Sequence, residues 1–460
     1  MFGAALALLE TMSNETRSSL AKRAGTALRR PRTRASRNAR VPRALRSIAW
    51  RLAGTAALVL TWGTGCGSSG HEGGGAPDSG TVGKLRVATY NAGLIDPVGY
   101  VPERLPLATK ALADLDVDVL CVQEVWAEEH LDGLVAANQG KRPNVLRLEP
   151  RPGASGNCSP DEFLPLRSCA EAHCASAGPD SLVSCTTAEC PDQVGVLSGT
   201  CISCLLDNAA TGDFDAISTA CLGTGNDADG GAVPPDERAY LEGGSFGIGL
   251  LSKLPFIETD KLELDASTNR RAILYAKVNV PSFGPLGLFC THLGPIENDV
   301  KYEGSYGSWE AENAAHVKVL IDWVAEKQSA GGQVLVLGDL NTGPAGQAIA
   351  PSVPDNYALF PAAGFVDPFL SGPNAACTYC VENPLVIPTD AAADADIDHI
   401  LTRGTTATAT VQRLFTAPIT ITVQGPGAAG DGGAGDSGKT NTQREIRLSD
   451  HYGLEGTLVE

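Results

Sequence analysis

Positive charge is scarce in this chain. Its 35 lysines and arginines stand against 53 aspartates and glutamates, a net charge of −18 at neutral pH. A protein this acidic gains nothing from releasing phosphate counterions and repels nucleic acid at long range, which counts against a nonspecific nucleic-acid binder. Long apolar runs are also missing. The best candidate, Leu52 to Trp62, holds eleven apolar or small residues, whereas a spanning helix needs about 20. No internal repeat and no second catalytic pattern is visible. What remains is ample: 460 residues, 43% hydrophobic and 19% charged, support a large core in one or two domains.

Polar residues recur at the ends of strand-like apolar runs. Leu85-Arg86-Val87-Ala88-Thr89-Tyr90 is followed by Asn91, and Asp118-Val119-Leu120-Cys121-Val122-Gln123 by Glu124. Gly287-Leu288-Phe289-Cys290-Thr291 delivers His292. Val334-Leu335-Val336-Leu337 leads into Asp339 and Asn341, Asp398 lies within Ile397-Asp398-His399-Ile400, and Ile446-Arg447-Leu448 precedes Ser449-Asp450-His451. A single strand-ending Asp is usually a turn residue. Six such endings in succession instead aim carboxylates, carboxamides and imidazoles from rigid edges into one cleft, a geometry suited to a hard divalent cation and a phosphate ester.

In this order the motifs resemble the endonuclease/exonuclease/phosphatase superfamily over roughly residues 84–460. Its members include deoxyribonuclease-I-like nucleases, abasic-site endonucleases, inositol-polyphosphate 5-phosphatases and neutral sphingomyelinases. The resemblance implies an α/β fold, a four-layer α/β sandwich of two packed mixed β-sheets flanked by helices. It also implies Mg²⁺ as cofactor, with Mn²⁺ or Ca²⁺ as alternatives, held by Glu124 with Asn91 and Asp450. His451, oriented by Asp398, would activate water, and His292 would donate to a phosphoryl oxygen. Asp339 would position the water or a second metal, and Asn341 would bind the phosphate. Arg270 and Arg271 read equally as a phosphate clamp or as a solvated strand end, and His399 as structural.

The implied activity is hydrolysis of a phosphate ester by a monomeric enzyme. A phospholipid headgroup, as in sphingomyelinases, is favoured over a polynucleotide, because the acidic charge disfavours nucleic acid. A non-catalytic surface-binding module on the same fold is the alternative of another class, and the intact set of residues argues against it.

The first 65 residues read as an export signal, its positive region containing Arg43, Arg46 and Arg51 ahead of the apolar stretch. Gly63-Thr64-Gly65-Cys66 resembles a bacterial lipoprotein cleavage site, with Gly63 where Leu is usual and Cys66 as the residue lipidated. Residues 66–83 would be a Gly/Ser-rich tether to a membrane surface. The twelve basic residues of 1–65 outnumber Glu10 and Glu15 by ten, so their removal takes the net charge to about −28.

Of the 13 cysteines, eight fall between Cys158 and Cys221. In an exported chain this marks a disulfide-stapled insertion at about residues 150–235. Zinc is the competing reading, because Cys201-x-x-Cys204 and Cys377-x-x-Cys380 have knuckle spacing. Cys121 and Cys290, inside apolar strands, read as buried free thiols. Helices are expected over Arg104–Leu115 and Trp309–Lys327 from their apolar spacing, and residues 425–441 as a low-complexity loop.

Overall fold

The fold is taken from a computed structural model of the chain. It describes residues 83–460 except 96–97, 152–157, 210, 223–239, 282, 298–301, 303, 329–331, 347–348, 387–393, 406 and 426–439. The segments expected to be an export signal and, nearly all of it, a tether, together with Cys66 and most of the 425–441 loop, therefore lie outside the described residues.

Two mixed sheets form the centre. The first has six strands in the order β10-β13-β1-β2-β4-β3: β1 (Lys84–Leu94), β2 (Val119–Val125), β3 (Asn144–Arg147), β4 (Gly249–Ser252), β10 (Thr408–Leu414) and β13 (Gly453–Val459). The second has five in the order β5-β6-β7-β8-β9: β5 (Phe256–Leu264), β6 (Arg271–Val280), β7 (Gly284–His292), β8 (Gln333–Asp339) and β9 (Asp398–Arg403). β1 runs parallel to β2 and β7 to β8, while the other pairings in both sheets are antiparallel.

These strands read as nearly continuous apolar runs because both of their faces are covered. Side chains alternate with a period of two. Leu85, Val87, Val119, Leu288, Leu335, Leu337 and Ile400 fill the space between the sheets. Ala88, Tyr90, Leu120 and Val122 face helices α1 (Val101–Asp114) and α2 (Glu128–Asn138). On the far side, Phe289, Val334, Val336 and Leu401 pack under α7 (Trp309–Lys327) through Val317, Leu320 and Val324. Helix, sheet, sheet, helix: the four layers are those expected. The α7 bounds agree with the apolar spacing, whereas α1 begins three residues early, at Val101.

Two expectations are corrected. Cys121 and Cys290 are not thiols but a disulfide, closing across the sandwich with Cα atoms 5.6 Å apart. Both alternate inward, Cys121 from β2 and Cys290 from β7, so the two sheets present them to each other. Second, Ile446-Arg447-Leu448 does not lead a strand into Ser449-Asp450-His451. Thr440–Ile446 is β12, paired with β11 (Ile419–Gly425) in a separate two-stranded ribbon. Ser449–His451 occupies the turn before β13.

The insertion leaves β3 and returns to β4. It folds as α3 (Pro160–His173), α4 (Pro179–Glu189), a one-turn helix at Pro191–Val194, α5 (Gly199–Ala209) and α6 (Phe214–Cys221). Four bridges pair all eight cysteines: Cys158–Cys201, Cys169–Cys190, Cys174–Cys185 and Cys204–Cys221. Phe163, Leu166, Leu182, Leu197 and Ile217 pack among them. Cys158 N donates to Cys221 O at 2.6 Å, which joins the two ends. Cys377 and Cys380 are bonded to each other, so the two knuckle spacings hold disulfides.

Candidate active site

The strand registers assemble the site. His292 on β7 stands beside Asp339 on β8, and Asp339 beside Asp398 on β9, so three polar side chains form a row at one edge of the five-stranded sheet. The opposing edge of the six-stranded sheet contributes Asn91 from β1 and Glu124 from β2. By strand alternation Glu124 follows inward-facing Gln123 and belongs on the helix side. Its backbone instead adopts a left-handed φ of +52°, a conformation costly for a non-glycine residue and concentrated at functional sites. Its carboxylate consequently meets Asn91, whose Nδ2 donates to Glu124 Oε1 at 3.0 Å and to Asp339 Oδ2 at 2.9 Å.

His451 arrives from the turn before β13, its ring against Tyr379. Its Nδ1 lies 2.8 Å from Asp398 Oδ2, and its Nε2 faces Asn91 Nδ2 at 3.5 Å and Asp339 Oδ2 at 3.9 Å. Burial pulls the imidazole pKa down, but Asp398, Asp450 and Asp339 more than offset this and raise it well above the usual value. His292 behaves oppositely. Burial, then the charges of Arg271 and His451, hold it well below the ordinary range, hence neutral. Its Nε2 is 3.4 Å from Asp339 Oδ2 and 3.8 Å from Glu124 Oε1.

The carboxylates crowd one another. Burial, and then Asp398, push Asp339 up to about 7, and burial with Asp450 raises Glu124. One oxygen of Asp398 is buried without a hydrogen-bond partner. Donor atoms of Glu124, His292 and Asp339 lie within 4.8 Å of one another, as do those of Asp339, Asp398 and His451. Buried, mutually repelling oxygen donors are what a hard divalent cation relieves, so the residues present fit Mg²⁺. Asp450 stands apart from these groups. Its Oδ1 accepts from Ser449 Oγ at 2.9 Å, packed against Gly93. Asn341 sits at φ +51°; its backbone N–H donates to Asp339 Oδ1 at 2.9 Å and its Nδ2 to Leu293 O at 3.0 Å.

Two arginines complete the picture. Arg271 is buried, which removes the solvated reading. Its guanidinium lies 5.3 Å over the Trp126 ring, and Glu124 and Asp339 are the principal opposite charges acting on it. Its Nε and Nη1 and Trp126 Nε1 are buried donors without partners, and His292 Nδ1 is a buried ring nitrogen without one. Arg270 is also buried, with its guanidinium 4.1 Å over Tyr240.

Arg104 was not singled out by the apolar spacing of α1, yet it shares the face of Ala108 and Leu112. Its guanidinium donates to Ala92 O, Gly93 O and Leu448 O, tying the end of β1 to the turn that carries His451. The sequence signal was its i, i+4, i+8 register with those two buried residues. His399 points to the other side of the sheet, its nitrogens 2.7 Å from Asp367 Oδ2 and 2.8 Å from Thr342 O.

The endonuclease/exonuclease/phosphatase family model matches residues 88–451. None of the curated proteins compared matches the chain. Among solved structures, the chain is similar to sphingomyelinase C from Streptomyces griseocarneus, at 16% identity over 81% of this chain and 99% of that one, with a TM-score of 0.46. A mutant beta toxin from Staphylococcus aureus with bound magnesium ions gives 12% identity, 81% and 99% coverage and a TM-score of 0.48. Truncated TDP2 from Caenorhabditis elegans gives 13%, 82%, 98% and 0.42. The family match spans the strand that carries Asn91 through the turn that carries His451, and on it the chain belongs to the endonuclease/exonuclease/phosphatase family and is a phosphoric ester hydrolase.

Proposed function

We propose that the protein is an exported, Mg²⁺-dependent phosphodiesterase that cleaves phospholipid headgroups by direct attack of water on phosphorus. The observation that carries the chemistry is the 2.8 Å contact of His451 with Asp398 beside the Glu124–His292–Asp339 group. Glu124 would hold the ion with Asn91 beside it, while Asp450, bonded to Ser449 and outside the donor groups, would add negative charge. A bound Mg²⁺ supplies charge: it polarises a phosphoryl oxygen and offsets the carboxylates that otherwise keep His451 protonated.

The chain's own groups do the rest. Asp398 accepts from Nδ1 and fixes the tautomer, leaving Nε2 to take a proton from the attacking water. Asp339 orients that water. Neutral His292 and the unpartnered Arg271 donors receive the phosphoryl oxygens, with Asn341 beside them. Six disulfides among the described residues favour an oxidising compartment. The net charge of about −28 without the leader favours a lipid or small ester over a polynucleotide. Lipidation at Cys66 would keep the enzyme at a membrane surface.

The test is a panel with Mg²⁺: sphingomyelin vesicles, plasmid DNA, inositol phosphates and bis-p-nitrophenyl phosphate, each also run with Glu124→Gln. Headgroup release should be fastest and should vanish in the variant, with weakened Mg²⁺ binding by calorimetry. Faster nicking of plasmid overturns the lipid reading. Unchanged Mg²⁺ affinity in the variant removes Glu124 as ligand.

A further inference from the structure

Across the five-stranded sheet from the catalytic row lies a second polar cluster. β9 places Asp398 and Ile400 toward the other sheet, so His399 emerges on the helix side beside the ring of Tyr357. Around it stand Asp367 and Asp396. One donor atom from each of the three residues lies within 4.8 Å of the others. Asp396 and His399 are both 0% exposed.

The hydrogen bonds leave this cluster incomplete. Asp367 Oδ1 accepts from the backbone N–H groups of Phe369 and Leu370 at 2.9 and 3.2 Å. Asp367 Oδ2 faces His399 Nδ1 at 2.7 Å, with Tyr357 Oη donating to it at 3.3 Å. Neither carboxylate oxygen of Asp396 has a hydrogen bond of good geometry, although the Thr378 hydroxyl stands close enough to favour its charged form. A fully buried carboxylate with both oxygens unmatched is expensive unless a proton or a cation accompanies it.

The histidine discriminates between those two. His399 Nε2 lies 2.8 Å from the carbonyl oxygen of Thr342, an acceptor only, so Nε2 carries a hydrogen. If Nδ1 is protonated as well, the state that Asp396 and Asp367 favour by raising His399 to about 9 against its burial, one imidazolium faces two carboxylates and the buried cluster keeps a net negative charge. If Nδ1 keeps its lone pair, a neutral imidazole and two carboxylates point at one spot, and a divalent cation brings the total charge to zero. A ligating histidine that donates its other N–H to a backbone carbonyl is the usual outer arrangement of metal sites. We infer that Asp367, Asp396 and His399 bind a second divalent cation, of the zinc class, on the helix side of the five-stranded sheet.

One nitrogen with two carboxylates suits zinc better than Mg²⁺, which prefers oxygen and retains its water. The ion would clamp β9 to the segment around Asp367. Asp398 precedes His399 directly, so the clamp would hold the carboxylate of the catalytic pair in place while taking no part in its chemistry. The inference does not depend on the substrate proposed above.

The full chain, stripped with chelator, is titrated with Zn²⁺ alone by calorimetry, in the wild type and in Glu124→Gln and Asp396→Asn. Glu124→Gln should retain one tight site. Asp396→Asn should lose that site, weakening zinc by more than the roughly 10- to 100-fold that outer-sphere changes cost. Crystals of the wild type grown with Zn²⁺ should show an anomalous peak at the zinc edge between Asp367, Asp396 and His399, which decides the matter even if Asp396→Asn fails to fold. No peak there, or equal zinc stoichiometry in wild type and Asp396→Asn, overturns the inference. So does an infrared carbonyl band of a protonated carboxylic acid that persists in excess Zn²⁺ and disappears in Asp396→Asn.

Discussion

The sandwich and the insertion are held together in opposite ways. In the sandwich, residues far apart in sequence meet: Cys121 bonds Cys290 across 169 positions, and Leu85 pairs with Leu458. In the insertion, every bridge is local, with separations of 11 to 43, and few large side chains are buried. A two-sheet core can carry strained or mutually repelling groups such as Glu124 and Asp339 because packing elsewhere holds them. A small helical module cannot, and it relies on covalent links.

The contrast is sharpened most by the catalytic pair. Asp398→Asn and His451→Ala should each lower kcat by about 10² to 10⁴ with KM little changed. The double variant should be little worse than the worse single one, as expected of groups acting together. Multiplicative losses in steady-state kinetics would mean the two act independently.

Next in size is the cross-sheet bridge. Cys121→Ala with Cys290→Ala should cost about 3 to 5 kcal/mol in denaturant unfolding, because the closed loop is long. Assayed well below its melting point, the variant should keep its activity. A loss under about 1 kcal/mol would mean that packing alone joins the sheets.

Acid should act on the two regions with opposite sign. In the insertion, the Glu162 carboxylate accepts from the backbone N–H groups of Ser159 and Ser198 at 2.7 Å each. Burial opposes its ionisation, but these bonds win and its pKa is lowered. That stabilisation is present above the unfolded value and is lost as pH falls through the folded one. In the metal-free sandwich, Asp339 near 7 and the raised Glu124 bind protons more readily folded than unfolded. These two carboxylates should therefore contribute stability that grows as pH drops from about 7 toward 4, and Mg²⁺ should abolish that contribution. His292 contributes oppositely, because its lowered pKa favours the unfolded state below the usual imidazole range. Melting curves in chelator and in Mg²⁺, with limited proteolysis reporting on the insertion, separate the two. A pH response of the metal-free protein that Asp339→Asn leaves unchanged would contradict the geometry.

The smallest effect belongs to one local bridge. Cys174→Ala with Cys185→Ala should loosen only the insertion, speeding its proteolysis while leaving turnover of a small soluble diester within roughly twofold. A large drop in turnover would show that the insertion and the catalytic edge are mechanically linked.

Much of this was readable in one dimension because strands buried on both faces leave continuous apolar runs. Those runs located β1, β2, β7 and β8 and the polar residues at their ends. What stayed hidden required a partner. The Cys121–Cys290 bond depends on which strands face each other, and nothing local distinguishes two inward thiols from a bridge. Arg104 was named only as the start of a helix, and Arg271 read equally as a phosphate clamp or a solvated strand end; only the packed structure shows the carbonyls around one and the acidic cluster before the other. The Ile446-Arg447-Leu448 run misled because a ribbon strand and a core strand share the same alternation over so few residues. Glu124 was found from its place at the end of a strand-like run, and the left-handed φ that turns it inward against its strand parity leaves no mark in the residue string.

β13 lies between β10 and β1, in the interior of its sheet. The sheet therefore stays split until residues 453–459 exist, and His451, 360 positions after Asn91, is among the last catalytic groups to be synthesised. At about 5–20 residues per second, the interval between those two residues lasts roughly 20 to 70 s. Over that interval β1 lacks its β13 partner, and β10, once made, waits for the same strand. Pairings this distant also fold slowly. The topology thus makes the order of synthesis matter: the strand-end Asn91 and Glu124 exist early, and the imidazole that faces them arrives some 360 positions later.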